Sequence, residues 1–164
     1  MRPIIKSSLA ALLLAAATGA ATAQVSVNFV KPEEFMDVPR GEIERGRVLK
    51  EFSRYFASFG DRLPAGQQLQ IEVLDIDLAG RTWPRQSTGD ELRVMSGGAD
   101  WPHLKLRYTL EENGTVLRSG ESNLSDMSYL QRIPRQSDTD VLRYEKRMID
   151  DWFDKTIAPK VAAK

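Results

Sequence analysis

The sequence predicts an α+β fold: a two-layer sandwich in which a mostly antiparallel sheet of about five strands carries two amphipathic helices on one face, in the order β-α-β-β-β-β-α. Three observations predict it. Two segments, one around Phe52 and one around Ile149, place apolar residues at helical spacing, so each has a single face to bury. Between them, "PHLKLRYTLEENGTVLRSGESNL" alternates apolar and polar residues on both sides of Asn113-Gly114, the preferred two-residue hairpin turn.

The elements follow in order. In "MRPIIKSSLAALLLAAATGAATAQ", Arg2 and Lys6 precede an acid-free apolar run and small residues ending Ala21-Thr22-Ala23. That is the order of a secretory signal peptide cut after Ala23. The apolar run is shorter than the roughly 20 residues of a membrane span. Residues 1–23 are therefore expected to be a signal peptide and 24–164 a single α+β domain, periplasmic or secreted, without a membrane anchor after cleavage. "VSVNFV" reads as a first strand before Lys31-Pro32. Val48, Leu49, Phe52, Tyr55, Phe56 and Phe59 form the apolar stripe of a helix over roughly 43–60. "QQLQIEVLDIDLAG" is a long strand and "ELRVM" a short one, separated by the loop "GRTWPRQSTGDE".

In the hairpin, the turn sets Leu110 opposite Leu117, Thr109 opposite Arg118 and His103 opposite Leu124, with Lys105, Arg107 and Arg118 on the polar face. The last helix brings Val141, Tyr144 or Glu145, Met148, Ile149, Trp152, Phe153 and Ile157 to one side. Ser137, Asp138 and Asp140 stand where they can cap its start, and Pro159 ends it. Its outer face runs from Arg143, Lys146 and Arg147 to Asp150, Asp151 and Asp154, against the helix dipole.

Composition excludes several functions. With no cysteine there is no disulfide, thiolate nucleophile or Cys-ligated metal, and no lipid-attachment cysteine. All 23 acidic residues follow Ala23 while two of the 23 basic ones precede it, so the exported chain is slightly acidic and nucleic acid is not an expected partner.

Two carboxylates in "LDID" raise the first chemical question. The apolar phase of the strand changes from Ile71 and Val73 to Leu74, Ile76 and Leu78, leaving Asp75 and Asp77 together. A β-bulge near Val73-Leu74 explains the change, as does burial of both strand faces beneath the 80–100 loop; a functional carboxylate pair is the third reading. No calcium-loop pattern accompanies the pair, so no metal or cofactor is expected. His103, the single histidine, has no nucleophile elbow or zinc-helix motif around it. The hairpin places Asp100, Trp101, His103, Asp126 and Tyr129 in one neighbourhood, making them the candidate binding residues, either as a ligand rim or as closure of the core.

Five separated blocks, "VSVNFVKPEEFMDV", "QQLQIEVLDIDLAG", "ADWPHLKLRYTL", "RSGESNLSDMSYL" and "LRYEKRMIDDWF", resemble the domain of unknown function 3016 family, exported proteins of Gram-negative bacteria. The resemblance covers nearly all of the chain after Ala23, implies a periplasmic or secreted protein, and brings no catalytic or binding residues with it. The expected function is a non-catalytic binding or interaction module of the cell envelope, with an envelope protein, a peptide or a small ligand as partner. The alternative is a small hydrolase or metal-dependent enzyme using Asp75, Asp77, Asp100 and His103. An envelope structural or stress factor acting by self-association is a third class.

Overall fold

The computed structural model describes residues 22–84, 91–131 and 140–158. Residues 1–21 of the expected signal peptide, the caps expected from Ser137 and Asp138 and the stop expected at Pro159 lie outside these residues. Strand β1 (Gln24–Phe29) leads through a short 3-10 turn to helix α1 (Glu42–Ala57), which tightens into a second 3-10 turn over Ser58–Arg62. Then come β2 (Gln67–Asp77), β3 (Arg81–Pro84), β4 (Glu91–Val94), β5 (His103–Glu112) and β6 (Thr115–Ser125). Helix α2 (Arg143–Trp152) runs on into a wider π-helical turn, Phe153–Ile157.

The main sheet has the order β1-β2-β5-β6. Because α1 carries the chain back across the sheet, β1 pairs with β2 in parallel; the other two pairings are antiparallel. This is the α+β architecture that the periodicities predict. The strand count differs in detail: "ELRV" does not join the sheet but pairs with Arg81–Pro84 as a separate ribbon, inside what reads as a loop. Gly80 is the reason. It sits at φ 85°, gives its N–H to the Asp100 carbonyl at 2.8 Å, and passes so close to β4 that a Cβ would lie 2.6 Å from the Val94 carbonyl oxygen. Only glycine turns the chain out of β2 there.

Both helices bury their apolar stripes on the same sheet face. Phe52, Phe56 and Phe59 meet Ile149, Trp152 and Phe153 above Leu69, Ile71, Leu104 and Leu106, all in one core. Phe59 stacks on Phe153 with centroids 4.2 Å apart, and Tyr108 meets Trp152 edge-on at 5.6 Å. The α2 stripe starts on Leu142, which is buried, whereas Val141, expected inside, is exposed. Of Tyr144 and Glu145, it is Glu145 that faces the core.

The hairpin turn forms as its residues require, with Asn113 and Gly114 both at positive φ. The expected register survives for two pairs only, Glu112 with Thr115 and Glu111 with Val116. A bulge at Leu117 then shifts it by one, so Leu110 faces Arg118, Thr109 faces Ser119 and His103 faces Ser125. The shift moves Arg118 off the polar face. It shares the helix side with Leu110, and its guanidinium donates to the Thr156 carbonyl at the end of α2.

The charges of α2 that oppose its dipole are set by partners elsewhere. Lys146 donates to Glu51 of α1 at 2.7 Å and to Asp140 at 2.6 Å. Arg62 bonds Asp150 and Asp154 and lies over the rings of Phe59 and Phe153. Docking α2 on α1 therefore outweighs the few tenths of a kcal/mol that each charge loses against the dipole.

Trp152→Ala is expected to cost about 3–5 kcal/mol in urea unfolding, since it removes a large buried ring together with its N–H bond to Ser122. A loss under about 1 kcal/mol would place that face of α2 outside the core.

Candidate functional site

The expected binding residues gather where β2 and β5 emerge at one end of the sheet, held in three bonded groups. The first is buried. Asp100 accepts from the Ser96 N–H at 2.7 Å, the Ser96 hydroxyl at 2.8 Å and the Tyr129 hydroxyl at 2.9 Å. Burial works against the Asp100 carboxylate, but these three donors hold its pKa below the ordinary range. Burial and the same carboxylate push Tyr129 up to about 12, so its hydroxyl stays a donor at neutral pH. Sequence reasoning missed Ser96, four residues upstream; the Gly97-Gly98 turn that folds it back onto Asp100 is the signal that points to it.

The second group lies on the open sheet face. Trp101 Nε1 donates to His103 Nε2 at 2.8 Å. Indole nitrogen can only donate, so Nε2 is an acceptor and the neutral ring carries its proton on Nδ1, which faces Asp77 Oδ2 at 3.5 Å. Both ring nitrogens thus point at protein partners. Burial, with Asp37 and Asp75 nearby, raises the pKa of Asp77, while Arg93 opposes the rise.

The third group closes the turn after β6. Asp126 is buried, accepts from the Ser128 N–H at 3.1 Å and lies 3.9 Å from Arg147, which also donates to the Tyr129 carbonyl.

The carboxylate pair of β2 resolves into separate tasks. The ladder skips a residue between Val73 and Asp75, so the bulge is present and Ile76 and Leu78 enter the core. Asp75 does not simply face water: its Oδ1 accepts from Ile76 N–H at 2.9 Å and from Met36 N–H at 3.0 Å, fastening the 35–37 loop to β2. Of Asp75, Asp77, Asp100 and His103, the structure brings only Asp77 and His103 into contact with one another. Among the described residues no group of three or more His, Asp or Glu side chains is arranged to hold a metal ion.

Beyond Asp77 the polar groups continue inward. The Ala79 N–H bonds Glu145 Oε1 at 2.7 Å and its carbonyl accepts from Arg93 at 3.0 Å; Arg93 also pairs with Asp37 at 2.8 Å. Glu145 is only 2% exposed and its second oxygen has no hydrogen-bond partner. Burial raises its pKa above the ordinary carboxylate value. The stripe reading offers Glu145 as an inward position, but periodicity alone cannot show that Ala79 needs its oxygen.

A groove of about 380 Å³ lies on the other flank, between edge strand β6 and α2. Ser122, Asn123, Leu124, Asp151, Trp152 and Lys155 line it. Among the described residues β6 pairs with β5 alone, leaving its other edge unpaired.

The Glu145 assignment sets a pH dependence. A carboxyl whose folded pKa is raised contributes stability that is fully present below its unfolded value near 4.5 and lost as pH rises through the folded value. Glu145→Gln keeps an acceptor for Ala79 and cannot ionise. In urea titrations from about pH 4 to about pH 8, the variant should gain on the wild type as pH rises. A variant that falls behind across that range would show that the ionised carboxylate is the favoured form.

No curated protein and no solved structure matches the chain. One family model does, over residues 23–155, and its described blocks span β1 through α2. The chain belongs to the DUF3016 family, described as protein of unknown function.

Proposed function

We propose that the protein is an exported, non-catalytic binding module of the cell envelope, periplasmic or secreted. The observation that carries this reading is the commitment of the polar side chains at the sheet end. Both nitrogens of His103, both oxygens of Asp100 and the Tyr129 hydroxyl all engage protein groups. A general base needs a nitrogen or oxygen within reach of a substrate proton, and a nucleophile needs such a base beside it. These residues serve instead to fix the 96–103 segment, the 126–129 turn and the start of α2 against one another. What the fold offers outward is an unpaired strand edge with a groove beside it. The signal-peptide pattern of residues 1–23 supports export.

The test is site-specific photo-crosslinking in cells that express the full-length chain. A crosslinker at Asp151, on the α2 wall of the groove, should give discrete protein adducts, while one at Gln70, on the open sheet face, should not. The chain recovered from the periplasm or medium should have the intact mass of a protein beginning at Gln24. Turnover of a simple ester, phosphate or peptide substrate that disappears in His103→Gln would contradict the reading.

A further inference from the structure

The groove beside β6 has a direction. Three contacts fix it: Asp126 lies by Arg147, Ser122 accepts from the Trp152 indole, and Arg118 donates to the Thr156 carbonyl. Numbers fall along β6 as they rise along α2, so the two elements run antiparallel. The end near residue 125 carries Asp126 and Asp151, and the end near residue 118 carries Lys155 and Arg118. Lys155 is exposed and has no ion pair among the described residues.

The ligand class follows from the backbone. An unpaired edge presents N–H and C=O groups at strand spacing, and what satisfies both is another extended chain. Antiparallel addition is the more favourable pairing. It would bring the N-terminal end of the added strand to the carboxylates near residue 125 and its C-terminal end to the cations near residue 118. The bulge at Leu117 breaks the regular edge one residue beyond Arg118, so an added ladder ends where the two cations stand. An alternate side chain of the added strand would lie in the groove over Leu124 and Trp152.

Deepening the binding-module reading, on which it rests, we propose that the β6–α2 groove binds the free C-terminus of an extended peptide. The peptide adds antiparallel to β6 over Arg118–Ser125, and its terminal carboxylate is held by Lys155 and Arg118.

The probe is a pool of N-acetylated hexapeptides built from Ser, Thr, Val, Leu and Phe, prepared as free acids and as carboxamides. A third pool carries a Glu before a C-terminal carboxamide. Each is titrated into the ¹⁵N-labelled protein. The free acids should shift the amides of Ser119–Ser125 and the Trp152 indole in a saturable way, at least tenfold more tightly than either amidated pool. Lys155→Arg should keep that preference and Lys155→Glu should abolish it, with the spectra of both variants showing an intact fold.

Equal binding of acids and carboxamides, equal binding of the Glu-carboxamide pool, shifts confined to another surface, or no saturation at millimolar peptide would each overturn the proposal. So would concentration-dependent broadening of the β6 amides without peptide, which would make a second copy of the chain the occupant. In each of these cases adducts from Asp151 would still uphold the broader binding-module reading, so the two fail separately.

Discussion

Leu74 is one residue more than β5 can pair: Val73 stands opposite Leu106 and Asp75 opposite Lys105, with Leu74 between them. The extra residue exchanges the two faces of β2 without breaking the strand. Before it, Leu69, Ile71 and Val73 point to the helices; after it, Ile76 and Leu78 do. Asp75 and Asp77 are thereby sent to the opposite side, where each meets a specific partner. Asp75 takes the Met36 N–H and ties the loop that follows β1; Asp77 lies by His103, which the same ladder sets opposite it. Without the bulge both carboxylates would enter an apolar core, at a cost of several kcal/mol each.

Past the bulge, the exit of β2 is held at a single peptide group. Ala79 gives its N–H to Glu145 and its carbonyl to Arg93, so α2 and β4 both close on one residue. Leaving that buried N–H unpaired would cost about 1–3 kcal/mol, comparable to the burial of one aliphatic side chain. This explains why a carboxyl stands in an otherwise apolar stripe. The exposed pairs of the open sheet face are a different matter. Arg107 with Glu72 at 2.8 Å and Lys105 with Glu121 at 2.9 Å are half in water and contribute little to stability. They neutralise the face that carries them, and the groove beside β6 keeps its own separated charges.

Much of the fold was legible because periodicity reports which face is buried. The phase change in "IEVLDIDL" announces the β2 bulge, and Asn113-Gly114 announces the hairpin turn. The second bulge is less plainly marked: Leu117 follows another apolar residue, Val116, and the shift leaves Arg118 bonded to the Thr156 carbonyl beyond α2. Val141 and Leu142 are both apolar, so the helix start was ambiguous until packing chose Leu142. The sequence also places Asp100, Trp101, His103, Asp126 and Tyr129 near one another, and they do share the sheet end. Their hydrogen-bond partners decide whether they face a ligand or each other, and those partners lie in loops and turns whose geometry no residue pattern encodes. The β6–α2 groove was invisible for a related reason: it depends on how a helix lies against an edge, not on what either contains.

Deleting Leu74 tests most directly whether the bulge accounts for the two carboxylates. In a bulged strand the deletion joins Val73 to Asp75 with both pairings to β5 already in place, so the core residues on either side keep their faces. The account predicts a cooperatively folded protein, destabilised by about 1–3 kcal/mol for the half-buried Leu74 side chain, with cross-strand contacts retained between Val73 and Leu106 and between Asp75 and Lys105. A regular strand has no unpaired residue to lose, so the deletion would exchange the faces of every residue after Val73 and change their partners on β5. An unfolded chain, or one whose Ile76 and Leu78 become exposed, would contradict the account.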